Sequence, residues 1–308
     1  MVQENSIKPQ IIIICGPTAS GKTDLAVQLA KALNSEVVSA DSMYIYKGLD
    51  IGTAKPSVAE MQGVKHHLIN VVDAKDNFTV SDYKAMAEPI ISDLINQGKI
   101  PVICGGTGFY INSLLYDLSY GKGKDNAEAR EKYKKLAEEY GNEYVYNILK
   151  TVDEESAKKL HPNDLKRVIR ALEIFENGCK KSDIVDDFIP KYNYLAFCFD
   201  YDREVLYQRI EKRVDIMFES GLVNEIENLL KNGVNREHQC MQAIGYKEVL
   251  DYFDGTITLE QAKDAIKLNT RHYAKRQITF FKRLPNLIKL NPNEKNIINK
   301  ILIGINND

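Results

Sequence analysis

The chain has 308 residues, 44% of them hydrophobic and 27% charged, with a formal charge of −2. That length buries a large core, either as one big domain or as a domain carrying an insertion, and the composition is that of a soluble globular protein. The charge excludes a uniformly basic nucleic-acid binder, although a local basic patch would be averaged away. No apolar run approaches the twenty residues that span a bilayer, so no membrane association is expected.

Met1–Gln10 has no basic segment leading into a long apolar core, and Ile11–Cys15 is only of strand length, so the expected location is cytoplasmic. That strand runs into Gly16-Pro17-Thr18-Ala19-Ser20-Gly21-Lys22-Thr23, which satisfies G-x-x-x-x-G-K-[ST], the P-loop of nucleotide-binding and ATP-binding proteins. Its glycines let backbone amides converge on phosphate oxygens, Lys22 adds a point charge, and Thr23 offers a hydroxyl to Mg²⁺. Leu25, Leu29 and Leu33 then recur at four-residue spacing, so a helix over 22–33 presents its positive N-terminus to the anion.

Further apolar runs at 36–39, 68–72 and 101–104 read as buried parallel strands, with a helix over about 80–97 between the last two. This βα alternation predicts a P-loop α/β fold with a doubly wound parallel sheet, whose ligands lie beyond the C-terminal strand ends. Asp41, just after the second strand, can act as general base, as a magnesium-shell ligand, or merely as a turn cap. Gly105-Gly106-Thr107-Gly108, after the run 101–104, either lets another group or a ligand approach the backbone closely or makes a tight strand-to-helix turn with no ligand. The strand that ends in Asp in a P-loop ATPase ends here in Cys104 and this glycine stretch, and no N-K-x-D stretch is present. The phosphate cradle therefore lacks the usual hydrolysis apparatus, which points to group transfer. His66-His67 reads as a strand entry with hydrogen-bonded imidazoles, and the five cysteines lack C-x-x-C spacing and read as free thiols.

From about residue 120 the character changes. Gly121-Lys122-Gly123-Lys124 is a flexible lead-in, followed by helices over 127–140, 144–151, 154–160 and 163–177 with a stop at Gly178. Residues 120–192 are expected to form a helical insertion domain, and 1–119 with 193–308 the catalytic core. The core resumes with strand 194–199, helices over 204–220, 223–232 and 259–284, and a strand at 287–290. Residues 271–283 hold several cations and no carboxylate, with Ala274, Ile278 and Phe281 beside Arg271, Lys275 and Lys282. This is either a polyanion contact or a solvated basic face. Lys166-Arg167-Val168-Ile169-Arg170 in the insertion is a second basic run, with Arg167 and Arg170 on one face.

Together these motifs resemble the bacterial tRNA dimethylallyltransferase (tRNA isopentenyltransferase) family. The pattern continues through Asp41-Ser42, Tyr44, Tyr46, Gly48 to Pro56, His66-His67-Leu68, Gly105 to Gly108, His161 to Asp164, Ala243-Ile244-Gly245-Tyr246 and Arg271 to Gln277. It spans nearly the whole chain; the departure is Phe280, where many members carry Trp, a residue this chain lacks entirely. The resemblance implies transfer of a dimethylallyl group from dimethylallyl diphosphate to the N6 amine of the adenosine beside the tRNA anticodon. It implies diphosphate binding by Gly16, Pro17, Thr18, Ala19, Ser20, Gly21, Lys22, Thr23 and Arg271, with Mg²⁺ at Thr23. Asp41 becomes the candidate base and Thr107 the orienting hydroxyl. The implied contacts to the tRNA anticodon stem-loop are Asp41, Ser42, Met43, Tyr44, Thr107, Arg130, Lys166, Arg167, Val168, Ile169, Arg170, Met241, Gln242, Ala243, Ile244, Gly245, Tyr246, Lys275, Arg276, Gln277, Ile278, Thr279, Phe280, Phe281 and Lys282, in a protein acting as a monomer. The rival readings are a prenyltransferase of free adenine nucleotides, a P-loop small-molecule kinase, and a non-catalytic RNA-binding protein.

Overall fold

Six parallel strands form one sheet in the order β3-β2-β4-β1-β5-β6. In the computed structural model, which describes residues 10–118 and 126–307, they are β1 Ile11–Cys15, β2 Val37–Ser39, β3 His66–His67, β4 Val102–Gly105, β5 Tyr194–Phe199 and β6 Leu287–Leu290. The Gly121–Lys124 lead-in lies outside the described residues. Before β5 the helices are α1 Lys22–Ala32, α2 Val58–Met61, α3 Val80–Asn96, α4 Gly108–Leu115, α5 Ala127–Tyr140, α6 Asn142–Val152, α7 Glu154–Ala157 and α8 Leu165–Glu176. After β5 come α9 Arg203–Glu219, α10 Leu222–Lys231, α11 Tyr246–Phe253, α12 Leu259–Phe281 and α13 Ile297–Asn307.

The chain divides into two compact units, one running to Leu115 and resuming at Pro190, the other Tyr116–Ile189. In the first, β1 is buried along its whole length, as a central strand covered on both faces must be. Ile12 and Ile14 join Val102, Cys104 and Phe197 in a core that α1 and α13 cover through Leu25, Leu29 and Ile301. The register places Ser39 beside Cys104, and Cys104 and Phe197 on either side of Ile14. The segments leaving β1, β2 and β4 therefore exit one edge of the sheet together. In the second unit, Tyr133, Val145, Leu149, Val168 and Leu172 form a separate core. Among the described residues no helix is long and apolar enough to cross a membrane.

The predicted strand 68–72 is corrected. Pairing stops after His67, because Leu68 and Asn70 take left-handed conformations (φ 60° and 56°), and Val72 makes only an isolated bridge with Tyr46. Leu68 is buried nonetheless, so its apolarity reports packing and not a strand. Three longer helices had no sequence prediction. α4 is mostly apolar and shows no amphipathic alternation, α11 follows Gly245, and α13 contains Gly304, a poor helix former. The two histidines enter β3 as expected: His66 Nδ1 lies 2.9 Å from the Val64 carbonyl and His67 Nε2 2.7 Å from Glu36.

Glu36 anchors the sheet edge opposite the site. Hydrogen bonds from Lys99 (2.7 Å) and from His67 hold its carboxyl down at about 2 from an ordinary 4.5, against the opposing effect of burial. A depressed carboxyl stabilises the fold fully above pH 4.5, and that contribution disappears as pH falls through about 2. Glu36→Gln should therefore cost about 1–2 kcal/mol at pH 7, discounted for the solvent beside the edge. In urea denaturation the gap between parent and variant should close between pH 4.5 and 2.

Candidate active site

The phosphate loop leaves β1 through Gly16 (φ 133°) and meets α1 through Gly21 (φ 85°). A side chain at Gly16 would be strained by that φ and would also sit 3.0 Å from Cys198 Sγ. Lys22 is buried, and its Nζ donates to the Pro17 carbonyl (3.1 Å), curling back over the loop. Burial pulls its pKa down, opposed by the Asp41 carboxylate. Ala19 takes a left-handed conformation (φ 61°), and its carbonyl accepts from Arg209 Nε at 2.8 Å. Ser20 Oγ is buried without a hydrogen-bond partner.

Beyond β2 and β4 the backbones interlock. The Ala40 amide donates to the Cys104 carbonyl (2.8 Å), and the Thr107 amide donates to the Ala40 carbonyl (3.0 Å). The glycines of residues 105–108 make room for protein: a methyl group on Gly105 would lie 2.1 Å from the Ala40 oxygen, on Gly106 2.2 Å from Gln277, and on Gly108 2.2 Å from the Phe280 ring. Of the two readings of that stretch, close packing accounts for the glycines. Gln277, buried on α12, accepts from the Thr18 amide (3.0 Å) and donates to the Gly106 carbonyl (2.9 Å), tying the phosphate loop to the end of β4.

Asp41 Oδ1 accepts from the Met43 amide at 3.0 Å, so the turn-capping role is present and takes one oxygen. Thr107 Oγ1 accepts from the Ser42 amide (3.0 Å) and lies 3.2 Å from Ser42 Oγ. Asp41, Tyr44, Tyr273 and Lys22 line a cavity of about 350 Å³ whose wall carries an apolar patch, from Ile210, Val214, Met217, Ala243, Ile244 and Ile266, beside the polar Arg213, Gln242, Lys247, Thr270 and Arg276. Burial pushes the phenol of Tyr273 in that wall up to about 12. A second, wider cavity of about 900 Å³ opens over Lys22, Thr23, Lys55, Arg209, Lys212 and Arg213. Lys22, Tyr44, Arg213 and Met217 line both, so the phosphate-loop cavity and the apolar patch meet at those side chains.

The predicted residues fall into distinct groups. The phosphate loop with Asp41, Ser42, Met43, Tyr44 and Thr107 shares this edge, joined by Gln242, Ala243, Ile244 and Arg276 on the cavity wall. Gly245 starts α11 (φ 100°). Arg271 is placed elsewhere: its guanidinium pairs with Glu211 and lies over the Tyr207 ring, and it lines neither cavity. The arginine brought to the junction is Arg213, with Arg209 one turn earlier. Their i,i+4 spacing with Lys212 between was the available sequence signal. Lys275, Thr279 and Lys282 are exposed, whereas Ile278 packs beside Ala19 and Ala274.

Met241, Tyr246, Gln277 and Phe281 are buried, and Gln277 also lines the smaller cavity. Phe280 lies against Phe109, keeping an aromatic where many relatives have Trp. In the helical unit Val168 and Ile169 belong to the core, and Arg130 and Arg170 both pair with the fully buried Glu173 (3.0 and 2.8 Å). Lys166 and Arg167 are exposed.

The IPP transferase family model matches residues 44–284. A tRNA dimethylallyltransferase from Caldanaerobacter subterraneus subsp. tengcongensis is 49% identical over 286 residues, covering 89% of each chain. One from Acetivibrio thermocellus is 44% identical over 296 residues, covering 95% of each. Among solved structures, the tRNA isopentenylpyrophosphate transferase from Bacillus halodurans aligns with a TM-score of 0.72 at 40% identity, covering 97% of this chain and 95% of that one. A eukaryotic dimethylallyltransferase acting on tRNA aligns at 0.81 with 31% identity, covering 97% and 78%. Matched along most of its length in sequence and in fold, the chain belongs to the IPP transferase family.

Proposed function

We propose that this enzyme transfers the dimethylallyl group of dimethylallyl diphosphate to the N6 amine of the adenosine adjacent to the anticodon of tRNA, releasing diphosphate. The observation that carries this reading is the meeting of a cationic phosphate grip and a patch of apolar side chains beside the Asp41 carboxylate. A hydrocarbon with a diphosphate head needs both environments at one junction.

In the reaction the donor C1–O bond breaks with its electron pair leaving on the diphosphate. C1 forms a bond to N6, and the N6 proton passes to Asp41. The phosphate-loop amides, Lys22 and Arg213 neutralise the charge that grows on the leaving group. The oxygen donors at the loop suit Mg²⁺, which binds through phosphates and waters with few protein ligands, and Thr23 lines that cavity. When bound there, the ion supplies further neutralisation of the diphosphate. Thr107, fixed by the Ser42 amide, orients a reactant beside Asp41. The adenine must leave the loop stack to reach this depth. Lys166 and Arg167 on the helical unit supply the cations for the anticodon stem.

Mixing the enzyme and dimethylallyl diphosphate with unmodified tRNA, AMP or ATP tests the reading. Prenylated tRNA with released diphosphate is expected, and prenyl transfer to AMP alone would overturn it. Asp41→Asn should lower kcat about 10²- to 10⁴-fold with little change in donor KM. Arg213→Ala should raise donor KM far more than Arg271→Ala; the reverse order would show that the guanidinium beside Glu211 reaches the diphosphate. Replacing both Lys166 and Arg167 by Glu should raise the KM for tRNA and flatten its salt dependence, while pyrophosphate binding stays at the parent level.

A further inference from the structure

Residues 48–56 wall the larger cavity, and two charged side chains hold that segment in place. Lys55, 3% exposed, donates to the Tyr46 carbonyl (2.6 Å), Asp50 Oδ1 (2.7 Å) and Asn70 Oδ1 (2.6 Å), using all three of its protons. Glu225, in the first turn of α10, holds the segment from the opposite charge. Its Oε2 accepts from the amides of Asp50 (2.9 Å) and Ile51 (2.6 Å). Its Oε1 accepts from the Gly52 amide (3.1 Å) and from the buried Tyr246 hydroxyl (2.7 Å). Three successive amides turned on one point form an anion nest, and here the protein fills the nest with its own carboxylate. Gly52 is required for this fit, because a methyl group there would lie 2.6 Å from the Tyr246 ring.

The nest fixes the next two carbonyls along the chain. The Ala54 carbonyl accepts from Arg213 Nη2 (3.1 Å) and from the Tyr44 hydroxyl (3.0 Å), and the Thr53 carbonyl lies 3.4 Å from the same Nη2. Arg213 Nε is buried with no hydrogen-bond partner, and the guanidinium is close enough to Lys22 to help pull down its pKa. A guanidinium pinned by one nitrogen, on a side chain that lines both cavities, is placed for an anionic ligand beside Lys22. Glu225 lines neither cavity that carries the chemistry. We propose that Glu225 is a positioning residue for the donor diphosphate: it captures the amides of residues 50–52 so that Thr53 and Ala54 aim Arg213 at the phosphate loop. The proposal rests on the reading of this junction as a prenyl-diphosphate site.

Glu225→Gln keeps the shape but turns an NH₂ group on amides that need an acceptor. Pyrophosphate with Mg²⁺ is titrated calorimetrically into the parent, Glu225→Gln, Arg213→Ala and the double variant, and prenylation of tRNA is followed in parallel. Glu225→Gln should weaken pyrophosphate binding and raise donor KM about 10- to 100-fold with tRNA KM unchanged. The double variant should bind no more weakly than Arg213→Ala alone. Unchanged pyrophosphate affinity, or losses that simply add, would overturn the proposal. Tyr246→Phe removes one hydroxyl and leaves the nest amides paired, so it should show a smaller loss in the same direction. If Glu225→Gln does not fold, unchanged affinity in Tyr246→Phe overturns the role instead. The two readings fail differently. A parent that binds pyrophosphate through Arg213 but never prenylates tRNA refutes the function and leaves Glu225 in its role. A parent that prenylates tRNA, with Glu225→Gln at the parental donor KM, refutes the role and leaves the function.

Discussion

Everything at the site depends on how closely the chain leaving β2 approaches the chain leaving β4. The Ala40 carbonyl accepts from the Thr107 amide while its own amide reaches Cys104, and Gly105 leaves no Cβ to keep the two backbones apart. That contact puts Asp41 and Thr107 at one edge, beside the phosphate loop that β1 delivers in register. A Gly105→Ala change would have to move backbone against backbone. Asp41 and Thr107 would be the first groups displaced.

Helix α12 is the second brace. Gln277 joins Thr18 to Gly106, so the phosphate loop and the end of β4 are held by one amide side chain. Tyr273, one turn earlier, lines the cavity with Asp41, and Phe280 packs into the space left by Gly108. The helix read from its charges as an RNA-facing surface is thus also a support for the reaction centre. Its buried face carries the hydrogen bonds, and its exposed face carries Lys275 and Lys282.

Much of this was legible in the sequence, for physical reasons. Ile11–Cys15 reads as a strand because a buried parallel strand tolerates only such a run, and Gly16 to Thr23 because backbone amides can cradle phosphate in few ways. Asp41 and Thr107 were legible because ligands gather at the ends of parallel strands. Arg213 and Glu225 were not, because each sits on an amphipathic helix where a charged residue ordinarily marks the solvent face. Only the packing of α9 and α10 turns them inward. Arg271 shows the matching limit: sequence spacing shows that it is a cation on this helix, but not that Glu211 stands opposite it. The run 68–72 misled because burial and strand pairing are separable, and two left-handed residues separate them here.

The central claim is that a diphosphate grip and a proton acceptor stand on either side of the transferred carbon. The most direct measurement is a crystal structure of the enzyme with an unreactive analogue of dimethylallyl diphosphate and an anticodon stem-loop. The account predicts a flipped adenine with N6 within about 3 Å of the Asp41 carboxylate. It also predicts the diphosphate on Lys22 and Arg213 and the prenyl chain among Ile210, Val214 and Met217. An adenine N6 that meets a different base, or a diphosphate that avoids Lys22, would contradict it.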